Sequence, residues 1–123
     1  MKLHASPTQT LNTVTAYGPG WIEINARRHQ RPVLVRPEGE VLDWVPPGFE
    51  ALAPEHFETI LALGPEVVLL GTGPAQRFPH PRLIATLTSR GIGVESMDTG
   101  AACRTYNILM VEGRKVLAAL IPV

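Results

Sequence analysis

The sequence has one cysteine, few aromatic residues, no surplus of charge of either sign and no long hydrophobic run. Each shortage excludes something. A lone cysteine, Cys103, cannot build an internal disulfide framework, and it fits a reducing compartment. Lysine plus arginine equal aspartate plus glutamate at 11 each. That balance leaves no electrostatic footprint for nucleic acid or an anionic membrane. No stretch approaches the roughly 20 apolar residues that cross a bilayer. The opening residues Met1-Lys2-Leu3-His4-Ala5-Ser6-Pro7-Thr8 lack the apolar core of a secretory signal. A soluble cytoplasmic chain is the expectation. The four histidines, His4, His29, His56 and His80, have no metal-binding spacing, and no Cys-x-x-Cys is present. No cofactor or metal is expected.

What is there is punctuation. Twelve prolines and eleven glycines divide 123 residues into short segments. The length predicts a single domain over 1–123. Residues 1–13 are polar and aperiodic and read as a flexible amino-terminal arm. Val14–Tyr17 and Trp21–Asn25 flank Gly18-Pro19-Gly20, which predicts a hairpin. Arg27-Arg28-His29-Gln30-Arg31 reads as a basic loop. Val33–Val35 and Val41–Trp44 form a second strand pair around Pro37-Glu38-Gly39. The first third is therefore antiparallel β.

After Pro46-Pro47-Gly48 the pattern changes. Pro54 opens a helix that Gly64-Pro65 stops. Val67–Leu70 is apolar on both faces, which predicts a central buried strand with Gly71-Thr72-Gly73 at its carboxyl end. Pro81 opens a second helix, and a short strand covers Gly93–Met97. Asp98 or Thr99 caps a third helix that ends at Gly113. Val116–Ile121 is again apolar on both faces. This alternation predicts an α/β core with parallel strands. The short Gly113 turn favours a parallel crossover into the last strand, but the pattern does not fix that strand's direction.

The third helix is the stretch around which the chain is organised. Arg104, Thr105, Tyr106 and Asn107 sit there among apolar residues, and a helix built only for packing has no need of them. They span more than one turn, so they cannot all face one way. Arg104 and Asn107, three positions apart, share a side and can converge on one ligand or on exposed sheet backbone. As a bracing network instead, Arg104 pairs with Asp98 or Glu112, and Asn107 pins a loop.

Asp98-Thr99-Gly100 matches the tripeptide of aspartic proteases. That chemistry needs two carboxylates sharing a proton, and nothing else in the chain supplies the second. A helix cap is the simpler reading. The free amides at that helix start suit a small anion, although Asp98 would oppose one. Gly71-Thr72-Gly73 lies where ligands of open α/β sheets bind, but it carries neither a Walker loop nor a dinucleotide fingerprint. Cys103 lacks a histidine base in its own segment and reads as a core residue.

Taken in order, Gly71-Thr72-Gly73, Met97-Asp98-Thr99, Arg104-Thr105-Tyr106-Asn107 and Glu112-Gly113-Arg114 resemble a family catalogued as a domain of unknown function. Its members include the mitochondrial complex I assembly factor three and the adipogenesis-associated domain protein of animals. The resemblance covers the chain roughly from Gly20 to the end. It implies a three-layer fold around a central mixed, largely parallel sheet, with helices and an added antiparallel β layer from the first third. It implies little about activity, because the small bacterial members have no established reaction.

Two functions follow as expectations. The first is a non-enzymatic protein-interaction module like a respiratory complex I assembly factor, with protein partners. Its binding surface is expected near Trp21 or Trp44. The second is a small-molecule-binding protein or enzyme using a cleft between Gly71–Gly73 and Met97–Asn107. The candidate site residues are Gly71, Thr72, Gly73, Asp98, Thr99, Arg104, Thr105, Tyr106, Asn107, Glu112 and Arg114.

Overall fold

The computed structural model describes residues 11–123. Most of the expected arm lies outside that range. Asn12, near the end of the arm, is held: its Nδ2 donates to the carbonyls of Arg36 at 2.8 Å and Gly39 at 2.7 Å.

The first sheet is an antiparallel meander of β1 (Val14–Gly18), β2 (Trp21–Ile24) and β3 (Arg27–His29). The basic segment expected to be a loop is thus a strand from Arg27 to His29. Its register explains this: Arg27, Arg28 and His29 pair with Ile24, Glu23 and Ile22. The β2–β3 turn places Asn25 at φ 52° and Ala26 at φ 66°. Two left-handed residues in succession make the tight turn whose twist matches the flanking strands.

The second sheet has the order β5-β4-β8-β6-β7. Its strands are β4 (Val33–Val35), β5 (Leu42–Asp43), β6 (Val67–Thr72), β7 (Gly93–Met97) and β8 (Val116–Ile121). β8 lies at the centre. It runs parallel to β6 and antiparallel to β4, so the sheet is mixed. The crossover across Gly113 and the mixed sheet implied by the resemblance are therefore both present. β6 extends through Gly71 and Thr72, which belong to the strand rather than to a turn after it.

Three helices complete the layers: α1 (Pro54–Ala62), α2 (Pro81–Thr88) and α3 (Thr99–Val111). Pro54 and Pro81 each occupy a first turn, where the missing amide costs nothing. The alternation of strand side chains sorts the core into two clusters. Val68, Leu70, Leu117, Ala119 and Ile121 face α1 and α2, together with Phe57, Ile60 and Leu87. Leu69, Val116, Ala118 and Leu120 face the other way. They meet Ala102, Cys103, Tyr106 and Met110 of α3 and Val14, Ile22 and Ile24 of the first sheet. Helix α3 is thus packed between the central sheet and the meander, which makes three layers in all. Trp44 is 3% exposed and sets its ring edge-on to Phe57 at 5.9 Å.

Candidate functional site

The candidate residues fall into three groups along α3. At its start, the Asp98 carboxylate caps the helix by accepting the Ala101 N–H at 2.9 Å. Thr99 is fully buried. Its hydroxyl donates to the Ile121 carbonyl at 2.6 Å and accepts the Gly73 N–H at 2.8 Å. The Thr99 N–H in turn donates to the Gly73 carbonyl at 2.9 Å, and the Ala102 N–H bonds the Asp98 carbonyl at 2.9 Å. The amides of Thr99, Ala101 and Ala102 are therefore all engaged, so little of the helix start is left for an anion.

These bonds close the expected cleft. A Cβ on Gly71 would stand 3.0 Å from Thr99 Oγ1 and 3.2 Å from Thr99 Cα, so strand and helix are already in contact there. Gly73 holds φ 99°, which lets the chain turn out of β6. Thr72 Oγ1 accepts the Arg77 N–H at 3.1 Å and lies 2.6 Å from the Ala75 carbonyl, which fixes the following loop. Gly71–Gly73 with Asp98 and Thr99 is a structural joint.

In the middle of α3, Tyr106 is fully buried and its hydroxyl donates to the Asn12 carbonyl at 2.8 Å. Burial pushes its phenol pKa up. Asn107 grips the free edge of β1: Oδ1 accepts the Val14 N–H at 3.0 Å and Nδ2 donates to the Val14 carbonyl at 2.8 Å. Of the partners considered for Asn107 (a ligand, exposed sheet backbone or a loop), it is sheet backbone that the side chain bonds. Cys103 is 1% exposed. Burial raises its thiol pKa to about 12, outweighing the opposing pull of Arg104, so the nucleophilic thiolate is suppressed.

Arg104 does not pair with Asp98 or Glu112. Its Nη1 contacts the Tyr17 hydroxyl across 87 residues of sequence. The Tyr17 ring in turn lies over Gly100, where an added Cβ would come within 3.0 Å of it. The pairing with Tyr17 wins because β1 runs alongside α3 in the folded layer. Thr105 makes no side-chain hydrogen bond to a described residue.

At the far end, Gly113 (φ 79°) and Arg114 close the helix by bonding the carbonyls of Met110 and Leu109, both at 3.0 Å. Arg114 Nε donates to Glu66 Oε1 at 3.1 Å, and this bond holds the Glu66 carboxyl below its ordinary range. Glu112 is the exposed C-cap residue. Thirteen helical residues, about 20 Å, separate these from the Thr99 joint. The candidates therefore do not form one site.

Two residues outside the candidate set complete the picture. Asn12 and Tyr17 are the partners of Tyr106 and Arg104, and only chain-spanning contacts reveal them. On its outer side α3 exposes Arg104, Ile108 and Val111, with Ile108 58% and Val111 77% exposed. Tyr17 extends this strip onto β1. No group of three or more His, Cys, Asp or Glu among the described residues is placed to hold a metal.

The geometry defines a three-layer α/β domain with a fold-bracing inner face and a mixed polar and apolar outer strip on its third helix. The chain belongs to the family described as "protein of unknown function (DUF498/DUF598)", whose model matches residues 14–121. It is 33% identical over 111 residues to the Bos taurus NADH dehydrogenase [ubiquinone] 1 alpha subcomplex assembly factor 3, covering 89% of this chain and 60% of that protein. A crystal structure of a Bordetella parapertussis protein superposes with a TM-score of 0.89 at 45% identity, covering 95% of this chain and all (100%) of that one. A solution structure from Bordetella pertussis, described as a Mth938-like domain, gives 0.83 at 39% identity, with 99% and 92% covered. None of the helices in the described residues is long and apolar enough to cross a membrane.

Proposed function

We propose that the chain is a non-catalytic protein-binding module that acts in the cytoplasm during assembly of a larger complex, as an assembly factor does. The similarity to a protein named as an NADH dehydrogenase assembly factor, running over 89% of this chain, carries the reading. The chain spans 60% of that relative's length, so the relative's partners come to this chain as part of the proposal.

The side chains support the same view. Most of the hydrogen-bonding groups that mark α3 are spent inside the fold, on Gly73, Ile121, Asn12 and Val14. The buried thiol is held protonated. What faces outward is the strip of Tyr17, Arg104, Ile108 and Val111, a blend of aromatic, arginine and aliphatic groups of the sort that anchors interfaces. On this reading the partner surface is the α3 strip rather than Trp44, which is core, or Trp21, whose ring is covered by the Arg28 guanidinium at 3.8 Å.

Capture of the tagged chain from its native cells, with bound proteins identified by mass spectrometry, tests the proposal. The expected result is enrichment of NADH dehydrogenase subunits by the parent chain and their loss with Ile108→Glu at an unchanged melting midpoint. Equal capture by both chains would move the surface elsewhere. Absence of any enriched protein would overturn the interaction reading.

A further inference from the structure

The outer strip of α3 is symmetric in its charges as well as exposed. Arg104, Ile108 and Glu112 stand four positions apart and form one ridge of the helix, and all three are exposed. Ile108 is the midpoint. Arg104 and Glu112 each lie about 6 Å from it along the helix axis, in opposite directions. Val111, 77% exposed, flanks the ridge and widens its apolar centre.

Neither charge is neutralised inside the chain. The ion pairs among the described residues are Arg28–Glu23, Arg77–Glu50 and Arg114–Glu66, and Glu112 belongs to none of them. Glu112 also occupies the C-cap, where the helix carbonyls concentrate negative charge and a carboxylate is disfavoured. Arg104 donates through Nη1 to the Tyr17 hydroxyl, a neutral group. That contact holds the side chain on the strip and leaves other N–H groups of the guanidinium for a carboxylate.

We propose that a second copy of this chain docks on the strip, the two α3 helices lying antiparallel about a twofold axis at Ile108. The inference rests on the reading of the strip as the binding surface and names an occupant for it. A twofold axis there sets residues equally far before and after Ile108 opposite one another. Arg104 of each copy then meets Glu112 of the other, Ile108 meets Ile108, and Val111 comes opposite Thr105. A parallel pairing would set arginine on arginine and glutamate on glutamate, so the charges select the antiparallel form. The contact is small. A handful of side chains from each copy falls well short of the roughly 20–30 residues of a standard interface. The dimer is therefore weak, and it yields the strip to a partner that binds more tightly.

Sedimentation equilibrium of the purified full chain, from micromolar to millimolar concentration at low salt, tests the proposal. A monomer–dimer equilibrium is expected. Ile108→Glu, Arg104→Glu and Glu112→Arg should each raise the dissociation constant about tenfold or more, the last two by setting like charges together twice per dimer. The double variant Arg104→Glu/Glu112→Arg keeps the net charge of the parent and should regain most of its affinity. Mixing the two single charge variants should give a heterodimer, because both cross-pairs are then opposite in sign. Melting midpoints near that of the parent show that the variants fold, as expected for exposed positions. A parent chain that stays monomeric, association unaltered in Ile108→Glu, or a double variant as weak as the single ones would each overturn the proposal. The capture experiment above is read separately: a monomeric parent that still enriches proteins through Ile108 ends the dimer and leaves the strip as a partner surface.

Discussion

Thr99 and Gly73 exchange two hydrogen bonds: each donates its backbone N–H to the other residue, one to a hydroxyl at 2.8 Å and one to a carbonyl at 2.9 Å. The same hydroxyl reaches the Ile121 carbonyl at the end of the central strand. One side chain thereby ties β6, β8 and α3 together in a buried place. Thr99→Val keeps the shape and removes the oxygen. It leaves the Gly73 N–H and the Ile121 carbonyl without this partner, at a cost of roughly 2–4 kcal/mol. Thr99→Ser keeps the oxygen and should lose less. Urea denaturation of the two variants checks the ordering, and equal losses would show that the methyl group matters more than the bonds.

The two glycines beside that joint should fail for different reasons. Gly71 has ordinary strand backbone but no room, with Leu120 Cδ2 3.1 Å from an added Cβ. Gly73 has room, since nothing lies within 4 Å, but its φ is 99°. Alanine at either position is expected to cost about 1–3 kcal/mol, by crowding at Gly71 and by backbone strain at Gly73. Valine should be clearly worse than alanine at Gly71, where added bulk is the problem. A melting series of Ala and Val at each position separates the two causes.

The stops and caps of α3 were legible from sequence because they are local. Asp98 and Gly113 lie within a few residues of the bonds they make. The unbroken apolar runs Val67–Leu70 and Val116–Ile121 likewise mark both buried strands, since a strand covered on both faces has little room for polar side chains. Long-range pairing was not legible. Tyr106 meets Asn12 and Arg104 meets Tyr17 across most of the chain, and no spacing rule links residues so far apart. The basic run Arg27–His29 misled because β3 is an edge strand: Arg27 and Arg28 point their charge to solvent while the backbone pairs with β2. Gly71–Gly73 looked like a ligand turn because sequence shows the absence of a side chain but not what occupies the space.

Burial of Cys103 gives a pH signature. Its thiol keeps its proton in the folded chain up to about pH 12, against an ordinary value of 9.0. Above pH 9 the unfolded chain therefore binds fewer protons than the folded one, and stability falls as pH rises toward 12. Tyr106, shifted in the same direction, adds to the fall. The urea midpoint should decline from pH 9 to 11, and less steeply in Cys103→Ala. Native Cys103 should also resist a mild alkylating agent that labels the unfolded chain within minutes. Fast native labelling would contradict the burial.

Arg104 and Asn107 are three residues apart, yet they should behave as opposites. Asn107 supplies both an acceptor and a donor to Val14 on the free edge of β1, and it is half-buried. Asn107→Ala leaves two backbone groups without that partner and should cost roughly 2 kcal/mol, visible as a lower melting midpoint. Hydrogen exchange should quicken first in β1, the strand it holds. Arg104 is exposed, and its bond to the Tyr17 hydroxyl is made at the surface. Exposed polar pairs contribute at most about 1 kcal/mol, so Arg104→Ala should melt nearly as the parent does. If the outer strip of α3 binds a partner, that same variant should capture markedly less of it, because arginine at the middle of an interface strip carries a large share of the affinity. Asn107→Ala, tested well below its melting point, should capture as the parent does. Melting midpoint and capture recovery measured side by side give the answer: reduced capture only in Asn107→Ala would place the working surface on the β1 side of the helix, and unreduced capture in Arg104→Ala would remove Arg104 from it.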